Sequence, residues 1–325
     1  MVSKHSDTGG FVARCVHSRL LIGCVFLRCP IELALISNTV STVGTPRARF
    51  RFLVAFMLMI ACCQGSPEQT DSPPSAQRAG WILTWNDEFN GANGSSPDPT
   101  KWVVQSGGNG WGNDELEYYT ARPQNVRQEN GNLVIEAVKE RFSGPDGVRR
   151  DYTSARLKTE GLFRQRYGRF EARIQIPAGQ GVWPAFWLLG DDFSTTPWPN
   201  CGEIDIMESV GSEPFSIRGS LHGPGYSESR PLTTVYKLPR GRFSDQFHAF
   251  AVEWEPRVVR FYVDDQLYAT KTPADIPPGA RWVYDHPFFV ILNLAIGGNW
   301  PGSPDDSTIL PQRMLMDYVR VYSRK

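Results

Sequence analysis

Polar and apolar residues alternate in short runs along most of the chain after residue 80, and turn-forming residues separate these runs. Residues 169–176 alternate strictly, and residues 314–322 largely repeat the pattern. Alternation of this kind predicts half-buried β-strands, and Asn130-Gly131 between two such arms predicts a tight hairpin. No long stretch has helical periodicity, and no period of about 20–50 residues recurs. The pattern therefore predicts an all-β fold, either an antiparallel two-sheet sandwich or a barrel.

Three acids stand on one predicted strand, residues 203–208, with the sequence Glu-Ile-Asp-Ile-Met-Glu. Glu203 and Asp205 share a face, whereas strict alternation would turn Glu208 to the opposite face. A β-bulge at residues 206–207 would bring Glu208 back and send one of the two bulge residues into the core. The two glutamates could then hold their carboxyl groups about 5–5.5 Å apart, as retaining glycosidases do. The alternative interpretation is a solvated strand face that happens to be acidic.

The composition excludes several classes of function. Lysine plus arginine and aspartate plus glutamate each total 34, so no polyanionic partner such as nucleic acid is expected. The chain lacks a phosphate-binding loop, a His/Cys metal cluster and a basic stripe. Ten tryptophans, 30 glycines and 25 prolines suit an all-β protein with many turns, and a tryptophan-rich cleft suits sugars.

The N-terminal part differs from the rest. We expect residues 1–46 to be an upstream extension that is disordered or not translated natively. Residues 47–63 combine arginines with an apolar run, as a secretory signal does, and end in a sequence that resembles a bacterial lipoprotein cleavage box with Cys62 lipidated. A short buried helix is the alternative. Residues 64–78 are rich in Ser, Pro, Gln and Thr and predict a flexible tether before a folded domain at 79–325.

This organisation predicts export, with the domain lipid-anchored at the cell envelope or secreted. The membrane would be contacted only through the anchor, and we expect a monomer. Of the six cysteines, Cys201 alone would remain in the folded part, so no disulfide framework is expected. Cys201 is either an inert buried thiol or, from its parity with Glu203, a thiol facing the end of a cleft.

Six sequence blocks occur in a characteristic order: residues 111–120, 167–173, 182–189, 202–208, 288–298 and 317–322. Together they resemble glycoside hydrolase family 16, and within it the bacterial laminarinase-like endo-β-1,3-glucanases. The resemblance extends over residues 81–324. It implies a β-jelly-roll sandwich with a concave substrate cleft, hydrolysis of β-glucan by a retaining double displacement, and no cofactor for catalysis.

The resemblance also assigns roles to the three acids. It makes Glu203 the nucleophile, Glu208 the general acid/base and Asp205 the acid that holds the nucleophile. A neighbouring negative charge raises the pKa of a carboxyl group, so Glu203 and Asp205 would help to keep Glu208 protonated. Mixed-linkage glucan, another polysaccharide of the family, transglycosylation and non-catalytic glucan binding remain as alternatives.

Candidates for sugar binding come from the strand pattern and from the resemblance. Trp183 and Trp187 share one strand face and are natural stacking platforms, unless they are core aromatics. Glu115 and Glu117 either contact sugar hydroxyls or are solvated. Six further candidates complete the set, and for two of them an alternative stays open: a surface ion pair for Arg156 and a structural role for His222. The six are Trp111, Asn113, Arg156, His222, Asn293 and Trp300.

Three further residues match positions that hold a structural calcium ion in family members. They are Glu88, Gly131 through its carbonyl oxygen, and Asp317. Hard oxygen ligands from distant segments suit calcium, and such an ion would hold both ends of the domain to one sheet. The alternative is ordinary surface acids.

Overall fold

The computed structural model describes residues 77–325. The predicted extension, the signal segment and all but the last two residues of the tether lie outside the described residues. Within 77–325 the chain forms β-strands and no α-helix, as the alternating pattern predicts. No segment of this part forms a helix long and apolar enough to cross a lipid bilayer.

The strands of the described part are numbered in chain order. They are β1 (Trp81–Asp87), β2 (Val103–Val104), β3 (Glu117–Tyr119), β4 (Val126–Glu129), β5 (Asn132–Ser143), β6 (Arg149–Ser154), β7 (Arg156–Lys158), β8 (Gly168–Gln175), β9 (Val182–Gly190), β10 (Glu203–Glu208), β11 (Ser216–His222), β12 (Thr234–Lys237), β13 (His248–Glu255), β14 (Val258–Val263), β15 (Gln266–Lys271), β16 (Phe288–Ile296) and β17 (Gln312–Arg324).

The strands form two open sheets, which makes the fold a sandwich and not a closed barrel. The ten-stranded sheet has the order β15-β14-β13-β8-β17-β5-β6-β3, with β1 added on β17 and β4 on β5. The seven-stranded sheet has the order β12-β11-β10-β9-β16-β7-β2. Its pairs are antiparallel, whereas β3 and β6 of the larger sheet pair in parallel.

Local sequence explains the hairpin between β4 and β5. The predicted hairpin joins β4 to β5, and both of its turn residues have positive φ, 53° at Asn130 and 74° at Gly131. Two positive φ angles match the twist of adjoining antiparallel strands, and Asn-Gly is the residue pair that adopts them most readily.

The core lies between the two sheets. Alternate side chains of β8, such as Phe170 and Ile174, are fully buried in the same apolar cluster as Phe186 and Leu188 of β9. The other face of β9 carries the half-exposed Trp183 and Trp187. This face of the seven-stranded sheet lies opposite the core, and we call it the cleft face. It carries Trp183, Trp187, Glu203 and Glu208.

Strand β16 is buried along its whole length, including residues that point away from the core. A glycine-rich loop, residues 107–116, docks at its end, where the backbone N–H of Leu116 donates to the carbonyl of Ile296 at 2.8 Å. A Cβ on Gly297 would come within 2.5 Å of the Leu116 side chain. The glycine therefore lets the loop cover one edge of the cleft face.

Candidate active site

The acidic strand β10 contains the predicted bulge. Against β9, Asp205 faces Trp187 and Met207 faces Phe186, so one residue of β10 is extra. Against β11, Asp205 faces Ser220 and Glu208 faces Arg218, so three steps on β10 match two on its partner. The extra residue brings all three acids to the cleft face.

The bulge departs from the sequence prediction in one detail. Both bulge residues, Ile206 and Met207, join Ile204 in the core, where the prediction placed only one of them. Two consecutive residues of a bulge oppose a single partner residue, and here both point inward. The bulge thus adds apolar contact area on the side opposite the acids.

Two indole groups and one imidazole surround the acids. The Nε1–H of Trp198 donates to Glu203 at 3.0 Å. On the other side, the Nε1–H of Trp183 donates to Glu208 at 3.0 Å. These bonds give each glutamate its own fixed donor.

His222 lies on β11 beside the same acids. Its Nε2 is 3.0 Å from an oxygen of Asp205 and 3.8 Å from an oxygen of Glu203. The structure therefore places His222 as a partner of the carboxyl groups, and its contact with sugar stays a prediction.

Sequence reasoning missed Trp198. It lies between Pro197 and Pro199, five positions before the nucleophile candidate and outside the alternating pattern. The two flanking prolines signal an irregular segment that enters β10 from the cleft side, but they do not reveal which carboxyl group the indole meets.

Burial dominates the ionisation of the three acids. It raises the pKa of Glu203 to about 8, and the charge of Asp205 adds to the rise. It raises the pKa of Glu208 to about 7, whereas the charge of His222 lowers it. Burial, followed by the charge of Glu208, raises the pKa of Asp205 well above its ordinary value. The cluster therefore holds fewer than three negative charges near neutral pH.

The pKa values of Glu203 and Glu208 stand in the opposite order to the roles that the resemblance assigns. The hydrogen bond between Glu203 and Asp205 adds to the rise at Glu203, because it favours the protonated form of Glu203 as the donor. Each glutamate accepts one indole N–H, Glu203 from Trp198 and Glu208 from Trp183. The assignment of nucleophile and acid therefore stays a prediction from the resemblance.

Arg156 lies between two indole rings at the side of the cleft. Its guanidinium carbon is 5.1 Å from the Trp111 ring centre and 4.7 Å from that of Trp187. Its Nε–H donates to Gln105 at 2.8 Å. The structure thus brings three predicted sugar-binding residues together, with one face of each ring covered by the cation.

Asn293 is buried next to this stack. Its side-chain oxygen accepts from the Trp187 Nε1–H at 2.7 Å, and its Nδ2–H donates to the Tyr119 hydroxyl at 3.3 Å. It holds Trp187 in place, and direct contact with sugar stays a prediction.

Glu115 and Glu117 do not match either interpretation of the sequence. Both are buried, with exposed fractions of 3% and 0%, so neither is solvated, and neither presents an open surface to sugar. Asn113 on the same loop donates from Nδ2 to Glu115 at 3.2 Å. The sequence pattern could not show this burial, because β16 and the loop are distant along the chain.

Trp300 lies beyond Glu208 on the cleft face. It is 37% exposed, and its ring packs edge-on against Trp183 with centres 5.2 Å apart. The Arg218 guanidinium lies 4.8 Å from its ring centre. Trp300 therefore keeps an exposed part for an outer sugar, as the prediction requires, while Arg218 covers another part.

Two of the three predicted calcium ligands, Glu88 and Asp317, are engaged in ion pairs. Arg320 donates to both oxygens of Glu88 at 2.8 and 2.7 Å, and Arg173 donates to Asp317 at 3.0 Å. A calcium ion would compete with both guanidinium groups, so the side chains as arranged fit ion pairs better than a metal. Among the described residues, the one group of three ligand-type side chains close enough to share an ion is the acid cluster of β10 with its histidine.

Cys201 matches its simpler interpretation. The side chain is fully buried against Leu189, Phe289 and Ile291. Burial raises the pKa of the thiol to about 12, so it is neutral at physiological pH.

Comparisons with known proteins agree with this geometry. A beta-glucanase from Rhodothermus marinus is 41% identical over 283 residues, which are 82% of this chain and 93% of the relative. The structure of an endo-beta-1,3-glucanase from Pyrococcus furiosus is 47% identical, with a TM-score of 0.72 over 75% of this chain and 95% of that one. The laminarinase catalytic domain from Thermotoga maritima is also 47% identical, with a TM-score of 0.71 over 75% and 99%.

The family model described as glycosyl hydrolases family 16 matches residues 113–320, which is more than half of the chain. This match includes the bulged strand and most of the cleft-face residues. The predicted jelly-roll sandwich is confirmed by the same structural neighbours. The chain therefore belongs to glycosyl hydrolase family 16.

Proposed function

We propose that the chain is a retaining endo-β-1,3-glucanase that hydrolyses laminarin-like glucans. The observation that carries the proposal is the bulged strand, which places Glu203, Asp205 and Glu208 on one face between two indole donors. The relatives support the substrate class, since two of the structures are named endo-beta-1,3-glucanase and laminarinase.

In the first step, the ionised Glu203 attacks the anomeric carbon of the bound sugar. The bond to the leaving sugar breaks, and Glu208 gives its proton to the departing oxygen. The indole N–H of Trp198 donates to Glu203 and favours its ionised form, which the attack requires. The product of this step is a glycosyl ester on Glu203.

In the second step, the ionised Glu208 accepts a proton from water, whose oxygen attacks the anomeric carbon. The ester bond breaks and Glu203 returns as a carboxylate, so the anomeric configuration is retained. The Trp183 N–H stabilises the carboxylate form of Glu208 that this step needs. A sugar hydroxyl in place of water would give transglycosylation.

Mixed-linkage β-1,3-1,4-glucan is the second candidate substrate. The name of the Rhodothermus marinus relative, beta-glucanase, does not restrict the linkage. Product analysis on laminarin, lichenan, agarose and carrageenan side by side distinguishes the candidates. Non-catalytic glucan binding is disfavoured, because all three acids are present and carry fixed partners.

We predict that Glu203→Gln and Glu208→Gln each lose nearly all hydrolysis of laminarin. The first removes the nucleophile, and the second removes proton transfer, which contributes about 10²–10⁴-fold to the rate. Release of reducing sugar measures the loss, and circular dichroism checks the fold. The exposed Glu228→Gln serves as control and should keep wild-type activity. Wild-type rates in either site variant would rule out the assignment.

We predict a bell-shaped pH profile of kcat/KM with its maximum between about pH 7 and 8, because the first step needs ionised Glu203, whose pKa is about 8, and protonated Glu208, whose pKa is about 7. The Trp183 N–H stabilises ionised Glu208, so Trp183→Phe should raise the pKa of that group and move the alkaline limb to higher pH. A pH profile of laminarin hydrolysis for both proteins tests this. If the alkaline limb of Trp183→Phe stayed in place or moved to lower pH, the role given to this bond would be wrong.

A structural calcium ion at Glu88, Gly131 and Asp317 stays a prediction of the sequence analysis. The pairing of β1 with β17 supports it, since an ion there would hold strands from both ends of the domain. The arginine pairs of Glu88 and Asp317 argue against it. A bound ion would raise the melting temperature in calcium and lower it in chelator, and equal melting temperatures would refute the site.

We also propose that the protein is exported as a monomer, with a lipid on Cys62. The charged and apolar segment before Cys62 supports this, although it lies outside the described residues. Intact mass of the native protein should show residues 1–61 removed and a lipid present, and this lipid should be absent in Cys62→Ser. Retention of residues 1–61 would refute the anchor.

A further inference from the structure

The proposed reaction makes no use of two buried acids, Glu115 and Glu117. They follow the glycine-rich loop, and their exposed fractions are 3% and 0%. Burial removes the hydration of a carboxylate, and hydrogen bonds, ion pairs or protonation must offset that loss. Two such groups two residues apart therefore require an explanation.

The surroundings of Glu117 favour a neutral carboxylic acid. One oxygen accepts the backbone N–H of Ile296 at 2.7 Å, and among the described residues the other oxygen meets no donor. The charge of Glu115 acts on this carboxyl group, and two neighbouring carboxyl groups repel each other unless one of them is protonated. Burial, followed by the charge of Glu115, raises the pKa of Glu117 well above its ordinary value.

Glu115 accepts hydrogen bonds from two side chains. The Tyr119 hydroxyl donates to one oxygen at 3.0 Å, and the Asn113 Nδ2–H donates to the other at 3.2 Å. Both oxygens of Glu115 therefore act as hydrogen-bond acceptors. The positive charge of Arg156 interacts with both carboxyl groups.

The contacts continue to the cleft face. The Tyr119 oxygen accepts from Asn293, which in turn accepts from the Trp187 indole at 2.7 Å. On the loop side, the carbonyl of Asn113 accepts from the backbone of Asn299 at 2.8 Å. The two buried acids thus lie at the base of hydrogen bonds that reach the Trp187 indole of the cleft and the backbone of Asn299.

We propose that Glu117 is a positioning residue, held as a neutral acid that donates its proton to Glu115, and that the pair fixes Asn113 and Asn293 for β-glucan binding. The identity of the ligand rests on the proposed function. Neither acid is a catalytic residue, since neither lies among the reacting groups. The pair acts by holding the glycine-rich loop and β16 in one relative arrangement before sugar arrives.

Binding tests the proposal in a background that cannot turn over the ligand. Glu203→Gln is the parent, and its affinity for a β-1,3-linked glucose hexamer is measured by calorimetry. The same measurement is made on variants that carry a second substitution in this parent. Glu117→Gln should keep the affinity within about twofold, since an amide N–H can replace the acid O–H and its oxygen can accept from Ile296. Glu117→Leu should weaken it about tenfold.

Asp114→Asn is the matched control, because it removes a charge from an exposed position of the same loop. It should bind as the parent does. Equal affinity in the parent and Glu117→Leu, or equal weakening in Glu117→Gln and Glu117→Leu, would overturn the proposal. Failure of the parent itself to bind the hexamer would count against the proposed function instead.

Infrared spectroscopy gives a readout that needs no ligand and is unaffected by a purely structural role. The difference spectrum between wild type and Glu117→Gln at neutral pH should show the loss of one protonated-carboxyl C=O band. Loss of a carboxylate band in its place would overturn the proposal. Because Glu117→Gln preserves shape, this result stands even if Glu117→Leu fails to fold.

Discussion

The cost of burying three carboxyl groups on one strand governs the arrangement of the seven-stranded sheet. Removing a carboxylate from water costs several kcal/mol unless nearby donors or protons compensate it. The bulge in β10 brings the acids together, and the neighbouring strands supply Trp183 and His222 as partners. The segment before β10 supplies Trp198. Protonation within the cluster offsets the rest, because burial raises the pKa of all three carboxyl groups.

The aromatic residues of the cleft serve two purposes at once. Trp183 and Trp198 act as N–H donors through their ring edges. The face of Trp187 is covered by the Arg156 guanidinium, and its N–H is held by Asn293. These rings are therefore fixed before a ligand arrives, which lowers the entropy lost on binding. A cleft built in this way is preorganised for charge that develops during the reaction.

Most of the fold could be predicted from the sequence, because alternation, turn residues and the extra residue in β10 are local signals. The three acids could be predicted for the same reason, and the Asn130-Gly131 turn followed from its chemistry. The partners of these acids could not, since Trp198 lies in an irregular segment without periodicity. The burial of Glu115 and Glu117 could not be predicted either, because it depends on a loop that docks against β16, which is remote along the chain. That both bulge residues point into the core could not be predicted either, because it depends on how β10 pairs with its two neighbouring strands.

The fully buried Cys201 is the one cysteine within residues 77–325, and this has a practical consequence. A domain whose single thiol is shielded has no internal disulfide to form or to scramble, so oxidising or reducing surroundings do not change its covalent structure through that residue. The same property offers a clean chemical background. A cysteine introduced at a loop tip would be the one thiol of this domain open to a spectroscopic label, so cleft motions could be followed without interference from the native sulfur.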